Sequence, residues 1–314
     1  MSSEKRFFRC DEDLVLGLKR LYETYGYKKF KMGKFEKYDL YLENKSFLKN
    51  GSIITVTDPK GRLLALKPDI TLSIVKNVRS ISLPEKVYYN ENVYISDSDA
   101  GEIKETTQIG LEYIGDLDVR ALSEILILAA ESLSFADENY RIAISHMGFI
   151  SDILDQIDIP KKEKNIITRF ISDKNLHGIK DICIKYGIDS SVSEKLCGLI
   201  LVCGNFKEFV LKSKELVSGD ASSRSFEELN QISSIISSFG YDEKFILDFS
   251  VMNDMNYYNG LVFQGFIQGI PKSVLSGGRY DNLVKRLGRD TSAVGFAVYT
   301  ERLAPLNDWN DEYD

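Results

Sequence analysis

Apolar positions in the first part of the chain follow two periods. From Asp11 to Tyr25 they recur every three or four residues, which predicts an amphipathic helix that ends at Gly26. Two short apolar runs, 53–56 and 63–66, flank the sequence Asp58-Pro59-Lys60-Gly61. Asp, Pro and Gly at the first, second and fourth positions are typical of a type I turn. The two runs are therefore predicted to form a β-hairpin.

Two longer β-rich runs, 87–95 and 103–114, are joined by a polar loop and predict an antiparallel pair with an exposed tip. In the second run Gln108, Gly110 and Glu112 lie on one face, because strand side chains alternate with a period of two. Polar side chains on a buried face must find partners. This face is therefore either solvated or lines a pocket, and the strand by itself leaves both interpretations open.

The remaining pattern is helical and then returns to strands. An apolar helix is predicted over 116–135 and a short strand over 141–145, and helical periods then continue from 149 to 239. Strand character resumes at 245–248, which indicates one sheet interrupted by a helical insertion and an α+β fold. The predicted division is a core with parts at 1–145 and 241–314 and an insertion at 146–240.

The stretch 253–302 combines tyrosines, tight glycines and a lone arginine. Tyr257 and Tyr258 precede an apolar strand, and Gly277-Gly278 stands between a predicted strand and a predicted helix. Such residues at strand ends indicate a small-molecule pocket. Backbone amides at the double glycine could hold an anion, although a tight strand-to-helix turn explains the same residues equally well.

Composition narrows the classes of function. The chain has 314 residues, with 47 Asp and Glu against 40 Lys and Arg, and a formal net charge of −7. This balance argues against nucleic acid as a main ligand, because phosphate contacts need clustered cations. No apolar run approaches the length of a membrane span, and the first residues lack a secretory apolar region. We expect a soluble cytoplasmic protein that does not associate with membranes.

Few side chains suggest metal or covalent chemistry. The four cysteines show no C-x-x-C pair, so free thiols are favoured over structural zinc, and no cofactor is implied. For His146 and His177 a structural or surface role is favoured over catalysis. The sequence contains no phosphate-binding G-x-x-x-x-G-K-[ST] loop and no G-x-S-x-G element.

Five segments, in order, resemble the histidyl-tRNA synthetase branch of the class II aminoacyl-tRNA synthetases. The segment Thr107–Gly115 resembles the family's T-Q-x-G-x-E-x-[IF]-G motif. The segment Tyr257–Phe263 resembles the Y-Y-T-G-x-V-F block of the histidine-specific branch. The match is collinear over nearly the whole chain and implies a class II antiparallel sheet flanked by helices. The segments are Leu66–Thr71, Thr107–Gly115, Tyr257–Phe263, Ser276–Leu283 and Ala293–Leu303.

The resemblance implies a pocket for histidine. In the family, acidic and amide groups hold the amino-acid part of histidine, and a carboxylate and tyrosines surround the imidazole. A carboxylate suits an imidazole N–H, and aromatic walls exclude water. The implied histidine-binding residues are Asp69, Thr71, Gln108, Glu112, Tyr257, Tyr258, Tyr280 and Arg302.

Three arginines that the family uses to form an adenylate are replaced. Ile95, Glu102 and Asn253 stand at their positions, which leaves Arg302 of the phosphate-facing set. Losing one such group typically lowers the rate by two or three orders of magnitude. We therefore expect adenylate formation to be lost. The chain also ends shortly after the third class motif, so no anticodon-binding domain is expected.

A histidine pocket without this chemistry resembles a paralogous family, the regulatory subunits of ATP phosphoribosyltransferase. The resemblance implies a non-catalytic subunit, a homodimer formed through about 11–41, and a hetero-oligomer with the short-form catalytic subunit. Histidine would be the effector of the first step of histidine biosynthesis. The alternative is a truncated histidyl-tRNA synthetase core or another histidine-activating paralogue, which would need the missing arginines.

Overall fold

The computed structural model describes residues 11–45, 53–77, 84–96, 102–252 and 257–306. The helices are α1 (Asp11–Thr24), α2 (Tyr38–Glu43), α3 (Thr71–Asn77), α4 (Val119–Ser134), α5 (Met147–Asp155), α6 (Lys161–Ser172), α7 (Leu176–Tyr186), α8 (Ser190–Leu201), α9 (Phe206–Lys212), α10 (Asp220–Ser238) and α11 (Asp281–Arg286). The strands are β1 (Lys28–Lys29), β2 (Phe35–Lys37), β3 (Thr55–Thr57), β4 (Leu63–Leu66), β5 (Glu85–Ser96), β6 (Ile103–Gly115), β7 (Tyr140–His146), β8 (Cys203–Asn205), β9 (Phe245–Asp248), β10 (Leu261–Ile267), β11 (Leu275–Arg279) and β12 (Ser292–Tyr299).

The chain forms two compact units. The first contains the described residues of 1–117, 128–140 and 266–314, and the second contains those of 118–127 and 141–265. The division predicted from sequence, with an insertion at 146–240, follows the change from strand to helical pattern and stays a prediction.

In the first unit the strands lie in the order β1-β5-β6-β12-β11. Strand β1 is parallel to β5, and the other neighbours are antiparallel. The long pair of β5 and β6 confirms the predicted antiparallel pair. The predicted hairpin is also confirmed: β3 and β4 pair antiparallel, and the Gly61 amide donates to the Asp58 carbonyl at 2.9 Å, which closes the turn.

Helix α1 packs on one face of this sheet. It ends before Gly26, whose φ of +83° is the left-handed conformation expected of a helix stop. Tyr22 is fully buried, and its ring lies 6.1 Å from the rings of both Tyr88 and Phe296. Its hydroxyl is 3.0 Å from Ser132 Oγ. One face of the sheet is thus taken up by core packing, which leaves the opposite face for the predicted pocket.

The second unit contains strands in the order β10-β7-β9-β8, together with helices α5 to α10. His146 caps α5: its Nδ1 accepts from the Gly148 amide at 3.1 Å, and its Nε2 lies 3.0 Å from Glu228 Oε1. Since Nδ1 accepts, Nε2 carries the proton and donates. His177 is exposed beside Asp181. His146 is thus a helix cap and His177 lies at the surface, and the prediction that neither takes part in catalysis stays a prediction.

Within the described ranges, three cysteines are free thiols. They are Cys183, Cys197 and Cys203, and Cys10 lies outside those ranges. The described residues hold no group of three or more His, Cys, Asp or Glu arranged for a metal ion. Likewise, no helix in this part of the chain is long and apolar enough to span a membrane.

One prediction about the stretch 253–302 is wrong. Gly277 and Gly278 do not form a strand-to-helix turn but lie inside β11, where they pair with Phe296 and Gly295 of β12. Both glycines are buried. Their backbone N–H groups therefore belong to a sheet rather than to a helix start, which removes the suggested anion cradle.

Candidate functional site

The predicted site centres on Glu112, a buried carboxyl group on β6. Glu112 is only 2% exposed to solvent. Thr71 Oγ1 donates to Glu112 Oε1 at 2.7 Å, and the Tyr280 hydroxyl donates to Glu112 Oε2 at 2.6 Å. The structure thus brings together three of the predicted site residues, which come from α3, from β6 and from the residue that precedes α11.

Burial raises the pKa of Glu112 to about 8, from the ordinary value of 4.5. The hydrogen bonds from Tyr280 and Thr71 act in the opposite direction, and the nearby charge of Asp69 raises the pKa further. Desolvation dominates because both hydrogen-bond partners are neutral hydroxyl groups. At neutral pH the Glu112 carboxyl group is therefore protonated in most of the molecules.

Two glycines make room for the polar groups of this face. A Cβ atom on Gly295 would lie 1.7 Å from Glu112 Oε2, so the carboxyl group rests directly on the backbone of β12. A Cβ atom on Gly110 would lie 2.6 Å from the Tyr89 hydroxyl and 2.2 Å from a backbone carbonyl oxygen. Any larger residue at either position would displace a group of the site.

Small residues continue across the neighbouring strands. Glu112 is in register with Gly295, which is in register with Gly278; Gly110 is in register with Ala297, and Ala297 with Ser276. Register partners of antiparallel strands project from the same face. On this face of β6, β12 and β11 the long acidic side chain of Glu112 is therefore surrounded by glycine, alanine and serine residues, whose short side chains leave space around it. Gly110 and Glu112 are buried and Gln108 is half-buried, so of the two interpretations that the strand pattern left open this arrangement favours a site over a solvated surface.

Asp69 and Thr71 reach the site from the start of α3. The Asp69 carboxylate accepts from the Leu72 amide at 2.7 Å, which is the geometry of a helix cap. It is also close enough to Glu112 to raise the pKa of that group. A capping role and a place beside the site are thus combined in one residue, whereas Thr71 turns its hydroxyl to Glu112.

Gln108 lies on the same face of β6, next to Gly110 on the side away from Glu112. It is in register with Glu91 of β5 and with Tyr299 of β12. Beside it, Lys67 Nζ binds Glu91 Oε2 at 3.1 Å, and the Lys67 side chain is only 1% exposed. Burial lowers the pKa of Lys67, although Glu91 opposes that effect. The lysine is therefore engaged by a carboxylate.

Arg302 is engaged within the protein as well. Its guanidinium carbon lies 4.1 Å from the centroid of the Tyr299 ring, and Nη1 donates to the Ser273 carbonyl. Stacking on an aromatic face and donation to a carbonyl each stabilise a guanidinium. Tyr299 was not singled out from the sequence, because no local pattern indicates which ring a distant arginine covers.

Tyr257 and Tyr258 belong to the second unit. Both are buried, and their ring centroids are 4.7 Å apart at an interplanar angle of 55°. Their predicted place beside the imidazole stays a prediction, as does the histidine-binding role of the whole set.

Two of the replaced arginine positions are described. Ile95 is half-buried near the end of β5, and Glu102 is exposed just before β6. Asn253 lies outside the described residues. An aliphatic and an acidic side chain offer no positive charge to a phosphate, and the loss of adenylate formation stays a prediction.

A cavity of about 480 Å³ lies elsewhere in the first unit, and no predicted site residue lines it. Its wall includes the segment 30–33, Glu36, Asn77 and Glu85. Because neither Glu112 nor its partners line it, the cavity is distinct from the Glu112 cluster. The segment 30–33 falls within the region 11–41 that the resemblance assigns to the homodimer.

Sequence analysis missed Gly295, Tyr89 and the Lys67–Glu91 pair. A signal was available for Gly295, since its strand alternates small and large residues beside an equally alternating β6. Tyr89 and the ion pair had no such signal, because register between β5 and β6 decides which side chains meet.

Replacing Gly295 with alanine is expected to destabilise the fold by about 2 kcal/mol, because the added Cβ forces Glu112 off its hydroxyl partners. Urea unfolding measures the change. Gly33→Ala is the matched control, since its Cβ would come no nearer than 3.6 Å to the nearest atom. Equal stability of the two variants would contradict the close approach of Glu112 to β12.

Comparison with known proteins places these features in context. The family model described as histidyl-tRNA synthetase matches residues 5–303. A protein of Thermoanaerobacter sp. (strain X514) named ATP phosphoribosyltransferase regulatory subunit is 30% identical over 290 residues, which cover 90% of this chain and 75% of that protein. A protein of Clostridium acetobutylicum with the same name is 29% identical over 301 residues, which cover 93% and 74%.

Solved structures show the same fold. A structure described as an ATP phosphoribosyltransferase regulatory subunit/histidyl-tRNA synthetase from Bacillus halodurans matches with a TM-score of 0.85 and 23% identity, over 98% of this chain and 85% of that one. A chain of the ATP phosphoribosyl transferase (HisG:HisZ) complex from Thermotoga maritima matches with a TM-score of 0.73 and 21% identity, over 93% and 98%. The predicted α+β class II synthetase-like fold, a large mostly antiparallel sheet flanked by helices, is confirmed.

Proposed function

Since the chain belongs to the histidyl-tRNA synthetase-like family, we propose that it is the regulatory subunit of ATP phosphoribosyltransferase in histidine biosynthesis. Its partner is the short-form catalytic subunit of that enzyme. The observation that carries the proposal is the combination of a built acidic site at Glu112 with phosphate-facing positions that hold Ile95 and Glu102. The names of the relatives point to the same assembly.

Adenylate chemistry is disfavoured on electrostatic grounds. Charge develops on the α-phosphate in the transition state and requires cations aimed at that position. The Arg302 guanidinium group stacks on the Tyr299 ring and donates a hydrogen bond to the Ser273 carbonyl. Two other arginine positions are taken by Ile95 and Glu102, and neither side chain carries a positive charge. The chain therefore acts through binding and not through catalysis.

Histidine is the effector, and it binds at the Glu112 cluster. The Glu112 carboxyl group suits an imidazole nitrogen, and Asp69 suits an ammonium group. The buried Tyr280 ring, whose hydroxyl group bonds to Glu112, excludes water from the imidazole. Binding by itself does not regulate an enzyme: histidine must bind more tightly to the inhibited arrangement of the assembly than to the active one.

Reconstitution with a short-form catalytic subunit tests the function. We expect the two proteins to co-purify and phosphoribosyl transfer to rise at least tenfold over the catalytic subunit alone. Histidine should inhibit the complex, and Glu112→Gln should weaken this inhibition. Glu208→Gln is the control, because Glu208 is exposed and pairs only across its own helix with Lys212. Failure to raise transfer, or histidine-dependent ATP–pyrophosphate exchange by the purified chain, would contradict the proposal.

A further inference from the structure

The small sheet, with strand order β2-β4-β3, has one apolar face that is open to solvent. Phe35 is in register with Leu66, and Leu64 is in register with Val56. Antiparallel partners and every second residue of a strand project from the same face, so these four side chains share one face, which we call the outer face. Phe35 is 50% exposed, Val56 is 36% exposed, and the two leucines are half-buried.

The opposite face of this sheet is used inside the first unit. Ala65 of β4 is fully buried, and Lys67, two residues further along, is 1% exposed and binds Glu91. Glu36, the register partner of Ala65, forms an ion pair with Lys76 at 3.4 Å. The polar and small residues of the sheet thus face the protein, which leaves the larger apolar side chains of the outer face for contact with another molecule.

A basic segment borders the outer face. Five of the 40 lysine and arginine residues lie between 28 and 37, where Glu36 is the only acid. All five lysines are exposed, and none forms an ion pair within the described part of the chain. Lys37 is in register with Leu64, so its side chain projects from the outer face itself. An apolar centre with a charged rim is the usual anatomy of a protein–protein interface.

The charge of this border decides which partner fits the surface. In a two-fold dimer of this chain the same patch would meet itself, so the lysines of two copies would come close together. Like charges that face each other across an interface oppose association. The apolar centre and the formal net charge of −7 also disfavour nucleic acid. The surface instead fits a different protein that presents apolar side chains surrounded by carboxylates.

We propose that the outer face and its lysine border are the docking surface for the catalytic transferase subunit, which contacts them with an apolar patch rimmed by carboxylates. The inference rests on the proposed function, because it locates the partner of that assembly. Strand β4 of this surface leads directly to Thr71 at the start of α3, and Thr71 donates to Glu112. A partner bound at β4 and a ligand bound at Glu112 therefore act on one continuous segment, through which each changes the affinity for the other.

Calorimetry of the full chain and its variants with a short-form catalytic subunit tests this inference. We expect Val56→Asp to weaken binding by about tenfold or more, because it removes apolar contact and repels the carboxylates of the partner. Phe35→Ser adds no charge and should also weaken binding. Ile184→Asp is the matched control, since Ile184 is 80% exposed and belongs to the second unit. Circular dichroism establishes that each variant is folded.

The salt dependence of binding tests the chemistry of the partner. Affinity should fall as ionic strength rises, and Lys37→Glu should weaken binding and reduce its sensitivity to salt. An affinity that does not change with salt would overturn the inference. So would loss of self-association in Val56→Asp with transferase binding intact, because the outer face would then join two copies. Binding of RNA that Lys37→Glu abolishes would overturn it as well.

Phosphoribosyl transfer by the reconstituted complex separates this inference from the proposed function. Activation that is lost in Val56→Asp and kept in Ile184→Asp would support both. If the natural chain and Val56→Asp raised transfer equally, the proposed function would stand and the docking surface would be rejected. If the natural chain neither bound the catalytic subunit nor raised transfer, both would be rejected.

Discussion

Replacing Glu112 with glutamine is expected to stabilise the folded chain by an amount that grows as the pH rises from 4.5 to 8. The folded chain keeps a proton on Glu112 up to a pKa of about 8, whereas the unfolded chain releases it near 4.5. Between these values the folded state binds more protons, so the stability of the natural chain falls with rising pH. Glutamine does not titrate and can keep hydrogen bonds to both hydroxyl groups.

The size of the effect follows from the pKa difference. The interval is 8 minus 4.5, and each pH unit contributes about 1.4 kcal/mol, so the difference between variant and natural chain grows by roughly 5 kcal/mol at most. Urea unfolding of both proteins at several pH values measures this difference. Glu208→Gln, at an exposed position, should show a difference that does not change with pH. A constant difference for Glu112→Gln would mean that Glu112 is ionised throughout.

Replacing Lys67 with methionine is expected to lower the free energy of unfolding by about 3 kcal/mol. The substitution removes the ammonium group that binds Glu91 at 3.1 Å and leaves that carboxylate, whose side chain is 19% exposed, without its cation. The loss arises from the stranded charge more than from the pair itself. The double variant Lys67→Met/Glu91→Gln should therefore recover most of the stability.

An exposed ion pair provides the control. Arg62 binds Asp58 at 2.7 Å, a shorter distance than in the Lys67–Glu91 pair, but the Arg62 side chain is 67% exposed. Arg62→Met should change stability by less than about 0.5 kcal/mol, because surface pairs are screened by solvent. If Arg62→Met and Lys67→Met had similar effects, burial would not be the cause. If the double variant were no more stable than Lys67→Met, the stranded charge would not be the cause.

Both effects concern the same face of the first sheet. Glu112 and the Lys67–Glu91 pair occupy successive parts of a surface whose floor is made of glycine, alanine and serine. Polar groups buried for a binding site lower stability relative to an apolar core, and natural proteins keep them where function requires. We therefore expect Glu112→Gln to gain stability and to respond less to histidine, because the natural residue serves binding at the expense of stability.

Local sequence rules predicted most of the secondary structure. The helix that ends at Gly26, the turn at 58–61 and the alternation along β6 depend on neighbours within a few residues, and all three agree with the structure. The double glycine was the exception. Glycines at 277 and 278 satisfy the rules for a turn, but pairing with β12 holds them in a strand.

The candidate site was predicted in part for the same reason. The shared face of Gln108, Gly110 and Glu112 follows from a period of two, and the resemblance to a known family supplied Thr71 and Tyr280. The partner of Arg302 did not follow from either source. Tyr299 is only three residues away in sequence, yet the chain turns from a strand into a 3₁₀ helix between them, and that turn brings the guanidinium over the ring.

The sequence by itself determined most of the helices and strands, which face of β6 carries the acid, and the family to which the chain belongs. Only the tertiary structure decided that Glu112 is buried with two hydroxyl partners, one of them 168 residues away, and therefore holds a proton near neutral pH. It also decided that Arg302 and Lys67 are engaged. Periodicity and turn chemistry are local, whereas desolvation and charge pairing depend on residues brought together from distant parts of the chain.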